Sequence, residues 1–358
     1  MRIAWVQLSE VRSYRTLELH PQARLNVLVG PNAQGKTNLL EALGFLVTGR
    51  SFRTSRIGEI PRWGVEAASI TGELARRASG VESRRSVRRA LLRGGDGIWQ
   101  ATGEGAPEWA RAIAFGWQDV EIVNGAPGAR RGFIDGIAAR LYPTHAATLV
   151  RYRQVLARRN RILQAHRREP GLDARLEPWS EQLATSGMEL IARRRRAVAA
   201  LQTELARVWS ALAAGHSKVE IRYRTALGEA AEPRALLEAL ARARHHEARL
   251  GQTLVGPHRD DLALEIDGAD ARTFGSRGQQ RLVALALRLA EVLPVTEAAG
   301  TAPVLLLDDA LSELDPRVRE LVLRELGAAE QVFLTTPEPL GAAGAAVFDV
   351  NGGGIFAA

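Results

Sequence analysis

Residues Gly30-Pro31-Asn32-Ala33-Gln34-Gly35-Lys36-Thr37 fit the pattern G-x-x-x-x-G-K-[ST]. That run needs a buried strand before it and a helix after it, and the flanks supply both. Arg24-Leu25-Asn26-Val27-Leu28-Val29 reads as a short buried strand. Thr37-Asn38-Leu39-Leu40-Glu41-Ala42-Leu43 reads as the start of a helix. Strand, glycine-rich turn and helix N-terminus together make an anion site, because backbone N–H groups point inward and the helix dipole favours negative charge. Residues Gly30 to Asn38 are therefore expected to cradle a nucleoside triphosphate. Lys36 would reach the β and γ phosphates, and Thr37 would hold Mg²⁺. The chain has only two lysines, Lys36 and Lys218, so a lysine here is informative. A compact, rotatable ammonium suits a phosphate cradle better than a planar guanidinium.

The same chemistry recurs late in the chain. Pro303-Val304-Leu305-Leu306-Leu307-Asp308-Asp309 has the form of a buried strand ending in acids. Alone it could be a strand running into a turn or a helix cap. Beside a phosphate loop, Asp308 is expected to accept Mg²⁺ or its water, and Asp309 to polarise the attacking water. Ahead of them, Phe274-Gly275-Ser276-Arg277-Gly278-Gln279-Gln280-Arg281 opens a helix. Ser276 suits an N-cap, and Gly278 lets a phosphate approach the backbone. Ser-x-Gly-Gln is weak alone and gains weight from its place between loop and acids.

The 358 residues are 46% hydrophobic, with a net charge of +8 and no cysteine. That length allows one large or two ordinary domains. No apolar run approaches the ~18 residues of a membrane span, and the first residues lack a signal-peptide pattern. Absent cysteine excludes disulfides and thiolate metal sites and fits a cytoplasmic setting. The positive charge points to a polyanionic partner, nucleic acid first. Three domain segments are expected. Residues 1–115 hold the phosphate loop, 116–255 form a helical lobe, and 256–358 hold the Ser276 element and the acids. In the lobe, Arg140–Arg168 and Glu181–Ala214 read as an antiparallel pair of long helices split at Glu169-Pro170-Gly171. Leu183, Met188, Leu190, Ile191, Val198, Leu201 and Leu205 form its packing stripe. Leu282–Leu293 reads as a helix stopped by Pro294, and the tail Asn351-Gly352-Gly353-Gly354 as loose.

The order of loop, helical insertion, Ser-x-Gly-Gln, acid strand and Ala310-Leu311-Ser312-Glu313-Leu314-Asp315 resembles an ABC-type ATPase head. That implies an α/β fold with mixed sheets. A helix of about 30 residues reaches only ~45 Å, too short for the long arms of full SMC proteins. From end to end the chain resembles the RecF family. The resemblance rests on Val11-Arg12-Ser13-Tyr14-Arg15, Asn32–Ala42, Gly49-Arg50-Ser51-Phe52-Arg53-Thr54 and Arg130-Arg131-Gly132-Phe133-Ile134-Asp135. It continues through Gly256-Pro257-His258-Arg259-Asp260-Asp261-Leu262, Ser276–Gln280 and Leu305–Asp315. The chain departs from that pattern at Val11, where the family usually has Phe. It also has Gln118-Asp119 where Pro-Glu-Asp is usual, and Asp309 where Glu is more common. Thr335-Thr336 stand where ABC proteins carry a switch histidine.

The resemblance implies ATP and Mg²⁺ as ligands, with Arg12 on the nucleotide and Gln118 sensing water or metal. It implies that Ser276, Gly278 and Gln279 contact ATP bound on a second copy, giving an ATP-dependent homodimer with slow, DNA-stimulated hydrolysis. It implies binding to double-stranded DNA near gap junctions, association with RecR, and help in loading RecA onto DNA covered by single-strand-binding protein. The setting would be gap repair, replication restart and the SOS response, with no membrane partner. Candidate DNA contacts are the Arg84–Arg93 group, Arg151–Arg161 and Arg193–Arg196, although each run taken alone reads first as a solvated helix or hairpin face. Two other readings remain open at this point. A small-molecule kinase would leave Ser276 without a role, and a transport ATPase subunit would need a membrane protein.

Overall fold

The computed structural model describes residues 1–22, 24–78, 80–166, 170–213, 217–230, 232–341 and 344–357. The chain opens with strands β1 (Arg2–Val11), β2 (Tyr14–Leu19) and β3 (Arg24–Val29), then helix α1 (Lys36–Thr48). Strands β4 (Ala67–Ala78), β5 (Val81–Arg93), β6 (Trp99–Thr102) and β7 (Ala112–Phe115) follow. Helices α2 (Glu121–Asn124), α3 (Pro127–Leu141), α4 (His145–His166) and α5 (Leu172–Leu212) come next, then β8 (Val219–Arg224) and α6 (Pro233–Leu250). After β9 (Asp261–Ile266), β10 (Ala269–Asp270) and α7 (Ala271–Phe274) come α8 (Arg277–Ala290) and α9 (Val292–Ala299). The chain closes with β11 (Val304–Leu307), α10 (Pro316–Glu325), β12 (Gln331–Thr336), β13 (Ala346–Asn351) and β14 (Gly354–Ala357).

These elements form two compact units. The first comprises Met1–Val120, Arg207–His216 and Arg277–Ala358, and the second Glu121–Ala206 and Ser217–Ser276. The sequence places the last boundary at residue 255, whereas residues 256–276 belong with the helical unit. The reason is β9, which pairs with β8 from Val219↔Ile266 to Arg224↔Asp261 and so ties that segment to the insertion.

The first unit has two sheets. One runs β14-β13-β3-β12-β11-β7, parallel except at β13–β14. Its central strands are buried on both faces, which explains the unbroken apolar runs at Val27–Val29 and Val304–Leu307. The other runs β2-β1-β4-β5-β6 and is antiparallel throughout. Its buried face carries Ile3, Val6, Leu8, Ile70, Leu74, Val87 and Leu91 in alternation. Leu39, Leu40, Leu43 and Leu46 of α1 are fully buried in the same core. Each such leucine contributes about 2 kcal/mol. This anchors the helix whose N-terminus faces the phosphate site. The buried Gln331 accepts the Ile3 N–H at 2.7 Å and donates to the Ile3 and Gln22 carbonyls at 3.1 Å.

In the second unit the predicted stripe is core: Leu183, Met188, Leu190, Ile191, Val198, Leu201 and Leu205 are all buried. A polar network joins it. Arg194 binds Asp135 with two bonds, 2.8 and 2.9 Å, and donates to the Pro257 carbonyl at 2.6 Å. His145 Nε2 completes the Asp135 shell at 3.0 Å. Burial pushes the Asp135 carboxyl up, but the bonds from His145 and Arg194 hold it below the usual range. Arg159 is fully buried among Glu247 at 2.6 Å, Thr253 at 2.7 Å and Ser180 at 3.2 Å. The segment Gly256–Leu262, whose role the sequence leaves open, is a hub of this network. His258 accepts from Tyr152 at 2.6 Å on Nδ1 and donates from Nε2 to the Thr253 carbonyl at 3.1 Å. Arg130 clasps Asp261 at 2.7 and 2.9 Å.

Three sequence expectations need correction. The long helices are α4 and α5, and α5 begins at Leu172 with Pro178 inside it, not at Glu181. Residues 167–169 and Ala214 lie outside the described residues. Pro294 does not end its helix as expected: α8 stops at Ala290, and Pro294 sits in the first turn of α9, where its missing N–H is harmless. The tail is not loose, because β13 and β14 pair as a hairpin across Asn351↔Gly354.

Candidate functional site

The phosphate loop connects β3 to α1 with the geometry an anion needs. Gly30 has φ 152° and Gly35 φ 110°. A Cβ on Gly30 would run into the Val350 carbonyl, and one on Gly35 would stand 2.8 Å from Ser13 Oγ. Only glycine fits at either place. Tyr14 OH donates to the Gly35 carbonyl at 3.0 Å, and Gln34 accepts the Gly352 N–H at 2.8 Å, so the loop is braced from both sides. Lys36 folds back onto the Gly30 and Pro31 carbonyls, the latter at 2.8 Å.

The acids converge on the same place from β11. Thr37 Oγ1 lies 2.8 Å from both oxygens of Asp308, and Thr335 of β12 donates to Asp308 at 2.9 Å. Asp309 adopts φ 51°, a left-handed conformation. Its backbone is clamped at both ends. The N–H donates to Thr335 Oγ1 at 2.8 Å, and the carbonyl accepts from Arg281 at 2.6 Å. Thr335, at the usual histidine position, thus serves both acids.

A cavity of about 370 Å³ is lined by Lys36, Thr37, Asn38, Asp308, Asp309 and Thr335 among others. Burial lowers the Lys36 pKa against the pull of Asp309 and Asp308. Burial raises that of Asp308, helped by Asp309 and opposed by hydrogen bonds from Thr37 and Thr335. A cation and an anion both pushed toward neutrality mark a cavity built to receive opposite charges. The donor set fits both expected groups: loop N–H groups and Lys36 for phosphates, Thr37 and Asp308 for Mg²⁺.

Of the expected residues, Asn32, Ala33, Gly35, Lys36, Thr37, Asn38, Asp308 and Asp309 line this cavity. Arg12 is placed differently. It forms a two-bond pair with the buried Glu41 of α1, each bond 2.8 Å, and does not line the cavity. Gln118 donates to the Phe52 carbonyl at 2.9 Å and is likewise outside the lining. Ser276, Gly278 and Gln279 are exposed at the start of α8.

Three lining residues escaped the sequence reading: Arg53, Trp117 and Arg281. Trp117, 70% exposed, stands at the end of β7. The turn that carries it is held by Asp119, which accepts the Gly116 N–H at 2.8 Å and the Arg288 guanidinium at 2.6 Å. Helix α8 therefore grips both edges of the site, with Arg281 on the acid turn and Arg288 on the Trp117 turn. Both arginines were visible beside the Ser-x-Gly-Gln run, but nothing in the spacing said which way they point.

A phosphate loop between sheets of this kind, facing an acid strand, in a chain that also exposes a Ser-x-Gly-Gln helix start, defines an ATPase head of the RecF/RecN/SMC class. The family model of RecF/RecN/SMC N-terminal domains matches residues 2–340. The head domain of Smc from Pyrococcus furiosus shares the fold, with a TM-score of 0.54 at 18% identity over 99% of this chain and 94% of that one. Within the class, the chain belongs to the RecF family. It is 37% identical to the DNA replication and repair protein RecF of Desulforudis audaxviator, covering 99% of both chains. It is 38% identical to that of Symbiobacterium thermophilum, covering 94% of this chain and 91% of the relative. A structure described as the recombination mediator protein RecF-ATP in the RecFOR pathway matches with a TM-score of 0.86 at 27% identity, covering 99% and 97%. The end-to-end match favours this family over the kinase and transport readings. Among the described residues, no helix is long and apolar enough to cross a membrane.

Proposed function

We propose that the chain is an ATP-gated DNA-binding switch of gap repair and replication restart, with slow, DNA-stimulated hydrolysis. The carrying observation is the division of the nucleotide machinery. Lys36, Thr37, Asp308 and Asp309 share one cavity, while Gly278 and Gln279 are exposed on α8 and do not line it. Half of the machinery thus lies exposed outside the cavity, and a head-to-head homodimer brings it to the nucleotide of a second copy. Thr37 and Asp308 would hold Mg²⁺, whose chemistry is to neutralise phosphate charge. The chain's own residues do the rest. Lys36 and the loop N–H groups bind phosphate, and Asp309 orients water. Asp309 is one methylene shorter than the usual Glu, and Gln118 is engaged by Phe52. Both favour slow turnover and use of ATP as a switch.

The relatives' names support work in DNA repair and the RecFOR pathway, and the family resemblance implies the finer partners: double-stranded DNA near gaps, RecR, and functionally RecA and single-strand-binding protein. The net charge of +8 per chain supports a DNA partner, with phosphate contacts and no base-specific readout. The test is solution mass by light scattering with ADP or with ATP and Mg²⁺, each with and without duplex DNA. Mass should double only with ATP, and Ser276→Arg should abolish the doubling while leaving ATP binding intact. A monomer in every condition, or a dimer unaffected by Ser276→Arg, rejects the switch.

A further inference from the structure

A second cavity adjoins the nucleotide site, and Arg53 lines both. Its volume is about 540 Å³, within the usual range for ligand pockets. The segment Gly49-Arg50-Ser51-Phe52-Arg53-Thr54, of which only Arg53 lines the nucleotide cavity, builds most of it. Arg50, Ser51, Arg53 and Thr54 supply polar wall, Phe52 and Ile57 apolar wall, and no lining side chain is acidic.

The segment is fixed from beneath by one carboxylate. Buried Glu41 accepts from Arg12 at 2.8 Å, from Arg53 at 3.3 Å and from the Ser51 hydroxyl. Ser51 Oγ in turn accepts the N–H groups of Arg53 at 3.0 Å and Thr54 at 3.1 Å. Glu41 thus serves two guanidiniums, and Arg50 has no carboxylate partner among the described residues. A further cation lies behind the lining residue Gly49, outside the lining itself. A Cβ on Gly49 would stand 3.2 Å from the guanidinium of Arg89. Arg89 is half-buried, donates to the Leu46 carbonyl at 3.3 Å and has no carboxylate partner among the described residues. Burial lowers its pKa with no opposing charge. A guanidinium taken from water without a counterion favours an anion beside it.

We propose that this cavity takes an unpaired nucleotide of a DNA strand, its phosphate on Arg50 with Arg89 close behind, and its base against Phe52 and Ile57. The inference rests on the DNA-binding reading above and adds the place where a strand discontinuity is sensed. An inorganic anion would use the cations and leave the apolar wall idle, whereas a nucleoside phosphate uses both. Stacking on an aromatic ring is tolerant of sequence, as a gap sensor requires. A strand is favoured over a free nucleotide because neighbouring phosphates can also meet the chain's positive charge.

The test uses the full chain with ATP and Mg²⁺, and labelled duplexes of one length, intact or gapped, read by fluorescence anisotropy. The variants are Arg50→Ala and Phe52→Leu. The second keeps apolar volume and the backbone bond to Gln118. The wild type should prefer the gapped duplex. Arg50→Ala should weaken gapped binding about 10-fold and Phe52→Leu about 5-fold, with intact duplex changed less than about 2-fold. Equal thermal melts confirm that both variants fold. A gap preference retained in both variants overturns the inference. So does a wild type that binds both duplexes equally, which leaves the DNA reading standing. A wild type that binds neither overturns that reading and the inference with it. In a last arm, dAMP is titrated into the ATP-loaded chain. Saturable binding lost in Arg50→Ala would assign the cavity to a free nucleotide and overturn the strand.

Discussion

The phosphate-loop cavity and the Arg194 network both bury charged side chains, yet leave them in opposite states. Around Arg194 three guanidiniums meet carboxylates inside the protein: Arg194 with Asp135, Arg159 with Glu247, Arg130 with Asp261. In the cavity, among the described residues, Lys36 meets backbone carbonyls, Asp308 meets hydroxyls, and Asp309 is exposed. Buried charge that is satisfied internally specifies a fold. Buried charge left unneutralised specifies a ligand. Type and spacing of residues do not separate the two cases, and partners do.

The largest expected effect separates them directly. Asp309→Asn should lower ATP hydrolysis about 10²- to 10⁴-fold, because the water loses its base. ATP affinity and melting temperature should stay near wild type, since the Asp309 backbone, not its side chain, carries the bonds to Thr335 and Arg281. Phosphate release and a thermal melt on one sample decide this. A variant that hydrolyses normally removes Asp309 from the chemistry.

Arg194→Ala is the mirror experiment. It strands Asp135 without its two-bond partner and should destabilise the helical unit by about 3–5 kcal/mol. Urea denaturation would report it. A loss below about 1 kcal/mol would mean that the network is decoration and the contrast with the cavity false.

The next effect is a pH dependence confined to the second unit. His258 accepts from Tyr152 and donates to Thr253, which uses the neutral ring, and burial lowers its pKa from 6.5 to about 4. Between those values the unfolded chain binds the proton more readily than the folded one. Stability from this group is therefore complete above pH 6.5 and is lost as pH falls toward 4. The expected loss is about 1–3 kcal/mol. His258→Gln should flatten the slope of denaturation free energy between pH 7 and pH 4.5. An unchanged slope would place the titration elsewhere.

The contrast also explains what the sequence could show. The phosphate loop was legible because its chemistry is local: strand, glycines, lysine and helix are contiguous, and the acid run is a strand that ends where its charges begin. Arg12, Gln118 and Trp117 were not, because their roles depend on side-chain direction across non-contiguous elements. Glu41 captures Arg12, Phe52 holds Gln118, and Trp117 is aimed by a turn fixed through Asp119 and Arg288. Proline misled once. Pro294 reads as a helix stop, yet first-turn geometry accommodates it in α9. The terminal glycines read as loose because a hairpin's partner strand cannot be seen in one tripeptide.

The smallest effect tests the comparison inside a single run of sequence. Arg193-Arg194-Arg195-Arg196 reads as one basic patch facing DNA, and the structure breaks it up. Arg194 is buried on Asp135, Arg193 donates to Thr148 at 2.9 Å, and Arg195 donates to the Ala230 carbonyl at 2.9 Å. Arg196 alone is exposed. Arg196→Ala should therefore leave stability within about 0.5 kcal/mol. If Arg196 meets phosphate, the log–log salt slope of DNA binding should fall by about one counterion, and no more, because its neighbours are engaged elsewhere. A slope reduced by several counterions would show that these arginines leave their internal partners when DNA binds, and that satisfied charge in this unit is also functional charge.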